Sequence, residues 1–265
     1  MSIDSYYDGS DVLTADNGSD NYTKISPSSI AKFFSHPRQW YGETLLDEEG
    51  FQGSEASILG TIVHHFAEQT ATGKHSSNRF KDVKDYLNLQ EKTLSFDRSI
   101  IEDNWEIMTD TLITEQVQST KFHSVEEFIY HPILPGIYAA GTYDAITYLG
   151  NQLVLRDYKT ASKKPSGISY DYRTQLHEYA WILRQKGIKI DYIELCFVVR
   201  PTKTLPARTF IFKEPFTDID YDKIDGQLKV IADSVNLWNT QPDLRYILAQ
   251  DYRLKPKEKA KLFKD

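Results

Sequence analysis

Two apolar runs, residues 136–149 and 152–159, flank the dipeptide Gly150-Asn151. Such a turn between such runs specifies an antiparallel β-hairpin, which fixes the neighbour and the direction of both strands. The second run has Leu153, Val154 and Leu155 near its middle, as a buried strand should. Yet the pair also carries charge: Asp144 in the first strand, Asp157 and Lys159 in the second. Residues two apart leave the same face of a strand, so Asp157 and Lys159 project together. With Asp144 on the partner strand, two carboxylates and an ammonium converge on one point.

The hydrophobic periodicity divides the remaining chain. Before residue 124 it is helical. Ser26 can cap a helix with Pro27 in its first turn and Ile30, Phe33 and Phe34 on its apolar face; Pro37 ends or bends it. A second helix spans 58–69, with Ile58, Ile62 and Phe66 at i, i+4, i+8. Residues 70–79 are a polar loop, and 80–87 and 99–117 are helical again. From 124 the pattern turns to strands: 124–130, then the hairpin. A helix at 171–186 stops at Gly187. Strands at 192–200 and 208–213 follow around the loop 201–206, then a helix at 221–238. Helices, hairpin-linked strands, a helix and more strands predict an α/β fold with a mixed central sheet flanked by helices, plus a helical insertion at about 70–120. Residues 1–23, rich in Asp, Ser, Gly and Asn, read as a flexible acidic leader. Residues 24–252 read as one domain, and 253–265 as a basic tail.

Composition narrows the function classes. Hydrophobic residues are 40% and charged residues 26% of the 265, so the chain can bury a core and is not a disordered polymer. No apolar run approaches the roughly 20 residues of a membrane span, and residues 1–20 lack the basic and apolar stretches of a signal peptide. No membrane partner is expected, and the cytoplasm of a bacterium or phage-infected cell is the expected location. Cys196 is the single cysteine, which excludes a disulfide framework, a Cys-rich zinc site or a four-Cys iron–sulfur cluster within one chain. The net charge of −7 is unevenly placed, with −5 in residues 1–20 and +4 in 253–265. An acidic chain is not steered to nucleic acid by net charge, but a carboxylate-built metal site adds negative charge that bound cations offset locally.

Two aspartates converging in a low dielectric repel each other, and a divalent cation removes that cost. Hard oxygen ligands with a substrate phosphate completing the shell suit Mg²⁺ or Mn²⁺. Lys159 beside them can orient a water or neutralise charge growing on a phosphate. His64 shares a helix face with Glu68 and can add a nitrogen ligand, or simply pair with that glutamate. Gln175 and Tyr179, also at i, i+4, can hold a phosphate or Lys159, or form a polar seam. Phe33, Phe34, Trp40 and Tyr41 can stack on unpaired bases, although aromatics at helical spacing are more often core. The basic tail can touch phosphate, or be a solvated terminus.

The ordered set Gly60-x3-His64, Gly141-x-x-Asp144, Asp157-Tyr158-Lys159-Thr160 and Gln175-Leu176-x-x-Tyr179-Ala180, with the opening Ser26-Pro27-Ser28-Ser29 through Pro37-Arg38-x-Trp40-Tyr41, resembles the RecB-type branch of the PD-(D/E)XK nucleases. That superfamily includes exonuclease domains of bacterial recombination complexes, CRISPR-adaptation nucleases, mitochondrial genome-maintenance exonucleases and many phage nucleases. No single piece is specific; their order and spacing over about residues 25–200 are.

The resemblance implies a restriction-endonuclease-like core and one or two Mg²⁺ or Mn²⁺ ions. His64, Asp144, Asp157 and the main-chain carbonyl of Tyr158 would be ligands. Lys159 would be the catalytic lysine, working with Asp144 and Asp157. Gln175 and Tyr179 match the segment that supports the site and contacts DNA. Similar nucleases often carry a glutamate on the strand before the hairpin, which points to Glu126; an exposed strand charge is the alternative. In the cluster-bearing members a cysteine precedes the proline; here His36 stands there and the later cysteines are missing, so no iron–sulfur cluster is expected. There is no Gly-x4-Gly-Lys-Ser/Thr, so a helicase, like a single-strand-binding or recombination partner, would be another chain. The implied function is a metal-dependent DNA nuclease, an exonuclease on single strands or DNA ends in recombination, repair or phage DNA processing. The insertion at 70–120 would wall or arch over the site. Alternatives are a non-catalytic DNA-binding or assembly subunit on the same fold, a structure-specific endonuclease, and RNA as substrate.

Overall fold

The structure, a computed structural model, describes residues 3, 9–19, 21–46 and 53–241. The expected basic tail at 253–265 lies outside the described residues. Three strands form a meander: β2 Phe122–Leu134, β3 Ile137–Leu149 and β4 Gln152–Ala161. β2 is longer than the sequence suggests and runs through Pro132. Pro132 is tolerated because, among the described residues, β2 pairs with β3 alone, so its other side needs no peptide N–H.

β1 (Thr23–Ile25), β5 (Tyr192–Val199) and β6 (Arg208–Pro215) complete a six-stranded mixed sheet of order β1-β3-β4-β5-β6, with β2 on β3. β1 pairs parallel with β3 over residues 137–139, while β4 pairs antiparallel with it from Ala145 to Leu149. Among the described residues no strand pairs with residues 140–144 of that edge, and Asp144 sits at the end of this gap. β4 and β5 run parallel, joined through α8 (Tyr170–Gln185).

Helices cover both faces. α2 (Ile30–Ser35), α3 (Pro37–Leu45), α8 and α9 (Asp218–Thr240) pack on one, where Ile30, Trp40, Leu155, Leu195, Ile231 and Trp238 share a core. α4 (Glu55–Ala71), α5 (Arg79–Gln90), α6 (Arg98–Glu102) and α7 (Trp105–Leu112, continued as a π-turn to Val117) cover the other. Their Ile58, Ile62, Phe66, Met108 and Leu112 pack with Tyr158, Cys196 and Val198 of the sheet. Each such side chain contributes roughly 1.5–3 kcal/mol by leaving water. The 70–120 insertion, expected as a wall or arch over the site, packs as a layer of the fold, because its apolar stripes cover α4 and the second sheet face.

Two further expectations change. The stretch expected to be a flexible leader contains α1 (Ser10–Asn17), whose Leu13 is fully buried against Tyr138 and Ala140 of β3. One apolar side chain facing the sheet suffices to dock this short helix, and a composition count does not register it. Trp40 and Tyr41 are core residues at 0% and 3% exposure, so they are not a platform for bases. Tyr41 stacks on Trp238 at 4.6 Å, and Trp40 meets Phe33 edge-on at 5.2 Å.

Candidate active site

β3 and β4 separate at Asp144, and the side chain takes over where the ladder stops. Its Oδ2 accepts the Tyr158 N–H at 2.6 Å. Tyr143 and Ile146 both enter the first core and Ala145 the second, so strict alternation breaks beside Asp144. Two glycines make the approach possible. A Cβ on Gly141 would lie 2.8 Å from Pro27 Cδ and 3.1 Å from the Tyr179 ring. A Cβ on Gly60 would press at 3.3 Å on Thr160 of β4, where α4 crosses the strand.

Asp157 and Lys159 do leave β4 together. Lys159 Nζ lies 2.9 Å from Asp157 Oδ1 and 2.6 Å from Oδ2. Gln175, from α8, donates to the same Oδ1 at 3.3 Å. Tyr179 donates its hydroxyl to the Thr142 carbonyl at 2.6 Å, bracing β3 two residues before Asp144. His64, on α4, places Nδ1 3.8 Å from Asp144 Oδ2, while its buried Nε2 has no hydrogen-bond partner among the described residues. It does not pair with Glu68, the alternative its spacing allowed. Glu126 falls between the pairs Val125–Ala145 and Glu127–Tyr143, so it lies opposite Asp144 on the neighbouring strand. Its φ of 50° is in the left-handed region, which a glutamate adopts only when its surroundings impose it. The sequence-predicted set is therefore brought together, with Trp40 and Tyr41 the exceptions.

Burial raises the pKa of both aspartates. Asp157 reaches about 6, with Lys159 opposing the rise and Asp144 adding to it. Asp144 is raised by burial against the pull of Lys159 and the Tyr158 N–H. Glu126 is pushed to about 9 by burial, then by Asp144, Glu68 and Asp157. Burial works against the Lys159 charge, yet Asp157 and Asp144 outweigh it and raise its pKa. His64 falls to about 4 through burial and the nearby Lys159, partly offset by Asp157 and by a hydrogen bond to the Tyr158 backbone; it is neutral at pH 7. Glu68 was missed as a member of this group. Its signal was present: it lies one turn after His64, and burial raises its own carboxyl.

Among the described residues no three His, Cys, Asp or Glu side chains stand ready-drawn around a metal position. Protein donors take the carboxylate oxygens instead, namely Lys159 on Asp157 and the Tyr158 peptide on Asp144. The chemistry of the donors nevertheless suits a divalent cation. Four neighbouring carboxyl groups, a neutral imidazole and one ammonium form an acidic cluster whose ionisation a hard cation favours.

A family model for the PD-(D/E)XK nuclease superfamily matches residues 24–242. Among solved structures, a candidate exonuclease from Eubacterium rectale is 13% identical with a TM-score of 0.52, over 89% of this chain and 85% of that one. The alkaline exonuclease LHK-Exo from Laribacter hongkongensis is 14% identical with a TM-score of 0.34, over 64% and 86%. Its complex with dAMP gives 12% and 0.36, over 72% and 97%. No curated protein matches the sequence. Among the described residues no helix is long and apolar enough to cross a membrane. With a restriction-endonuclease-like sheet and a family match over most of its length, the chain belongs to the PD-(D/E)XK nuclease superfamily.

Proposed function

We propose that this chain is a divalent-metal-dependent deoxyribonuclease that works as an exonuclease on single strands or DNA ends. The observation that carries the reading is the convergence of Asp144, Asp157 and Lys159 where β3 parts from β4. Asp144, Asp157, His64 and the Tyr158 carbonyl would hold Mg²⁺ or Mn²⁺, with Glu126 beside them. When bound, the cation supplies Lewis-acid chemistry for phosphodiester hydrolysis. Lys159 is held charged by Asp157 and Asp144, and is placed to neutralise charge developing on the phosphate. Gln175 keeps Asp157 turned toward that lysine, and Tyr179 fixes the strand that carries Asp144. Recombination, repair or phage DNA processing is the setting such an activity serves.

The exonuclease reading draws support from the Eubacterium rectale structure, whose protein is described as a candidate exonuclease. The test compares linear and covalently closed circular single-stranded DNA, and matched RNA, with Mn²⁺. Loss of the linear DNA with the circle spared is the expected result. Rapid cutting of the circle would instead establish an endonuclease. Binding without cutting of any substrate would leave a non-catalytic subunit, and preference for RNA would change the substrate class.

A further inference from the structure

A basic rim lies at the end of the sheet beside Lys159. β4 and β5 end side by side at Ala161 and Val199, and the Arg200 N–H donates to the Ala161 carbonyl. The chain segments leaving that end carry Lys163, Lys164, Arg200, Lys203 and Arg208. Residues 160–170 and 199–213 contain no Asp or Glu. Lys163, Lys164, Lys203 and Arg208 are exposed and Arg200 is half-buried. Among the described residues none of the five lies within 4.0 Å of a carboxylate. Arg200 acts on the Glu55 carboxyl and helps to lower its pKa.

The rim lies on the same sheet face as the site, with the buried Phe197 between them. Lys159, Phe197 and Phe210 are in register across β4, β5 and β6, so they form one row on one face. Two strand spacings put Phe210 about 10 Å from Lys159. Lys164 lies over the Phe210 ring at 4.9 Å and Arg208 at 5.4 Å. The far end of the row thus gathers two cations on one aromatic ring with no carboxylate between them. In a chain of net charge −7, cations gathered this way make a local positive field that favours a polyanion.

We infer that the phosphate backbone of a DNA strand crosses this rim on its way to Lys159, contacting Lys163, Lys164, Lys203 and Arg208. This rests on the nuclease reading above, and it adds the side from which the strand arrives. Phosphate contacts are sequence-independent and release counterions, so their mark is salt dependence.

The test is fluorescence anisotropy of a labelled oligothymidylate in Ca²⁺, over a salt series. Wild type is compared with the quadruple charge reversal Lys163→Glu, Lys164→Glu, Lys203→Glu, Arg208→Glu, and with the milder quadruple change to Gln. Lys186→Glu with Lys189→Glu is the control. Those lysines are exposed and follow the opposite end of α8, about 24 Å away. Thermal melting checks that each variant folds, and the Gln set serves if the Glu set does not. The rim variants should bind more weakly, with the slope of log K against log salt reduced by about 0.7 per lost phosphate contact. The control should keep the wild-type slope. A rim variant that folds and keeps that slope overturns the inference, as does an equal loss in the control. Wild-type protein that binds DNA through the rim yet never cuts it would overturn the nuclease reading while leaving this one standing.

Discussion

Replacing Glu126 with Gln probes the carboxylate cluster without altering its shape. The folded protein holds the Glu126 proton more tightly than the unfolded chain, since the carboxyl moves from 4.5 to about 9. Stability from such a group is complete below the unfolded pKa and is lost as pH rises towards the folded one. At pH 7 the part of the shift already expressed, about 2.5 pH units above 4.5, corresponds to about 3.4 kcal/mol at about 1.36 kcal/mol each. Glu126 is only half-buried, so solvent screening reduces this to about 1–2 kcal/mol. Gln keeps the same backbone, including the φ of 50°, and has no proton to retain. Urea unfolding in EDTA from pH 5 to 8 should show Glu126→Gln more stable than wild type at pH 7, by less at pH 5 and by more at pH 8. Saturating Mn²⁺ should narrow or reverse the order, because a cation binds and stabilises the ionised carboxylate. A pH-independent difference, or a destabilised variant at pH 7 in EDTA, would refute the reasoning.

Other substitutions test the supports of the site. Gly141→Ala forces a Cβ to 2.8 Å from Pro27 Cδ and 3.1 Å from Tyr179, and should cost about 1–3 kcal/mol in chemical denaturation. Tyr179→Phe removes the bond to the Thr142 carbonyl; it should cost about 0.5–1.5 kcal/mol and slow cleavage, because β3 then holds Asp144 less firmly. Glu178 is fully buried, neither carboxyl oxygen has a partner among the described residues, and burial raises its pKa well above the ordinary range. Glu178→Leu should therefore stabilise by about 1–3 kcal/mol at neutral pH, with a smaller gain at pH 5, as read by thermal melting. A Leu variant less stable than wild type at pH 8 would contradict the reading of Glu178 as an uncompensated buried acid.

The hairpin and its charges were legible because they depend on local rules. A Gly-Asn turn fixes strand register, and a spacing of two puts Asp157 and Lys159 on one face. The motif glycines were visible but not their cause. What demands a missing Cβ at Gly60 and Gly141 is Thr160, Pro27 and Tyr179, all distant in sequence. Glu126 was pointed to only through the resemblance, with a strand charge as the alternative, because its perturbation arises from burial and from three carboxylates on three other elements. Trp40 and Tyr41 show the opposite case: aromatic character suggests base stacking, but only the position of α9 decides that Trp238 fills that role. Leu13 could not be weighed at all without knowing that β3 offers Tyr138 and Ala140 to cover it.

The catalytic claim for Asp157 and Lys159 is tested most directly by cleavage of end-labelled single- and double-stranded DNA with Mg²⁺, Mn²⁺ or EDTA, wild type beside Asp157→Ala and Lys159→Ala. The account expects metal-dependent cutting by wild type, abolished in EDTA and lost in both variants while their fold is intact. Undiminished cutting by either folded variant, or no cutting by wild type with either metal, would contradict it.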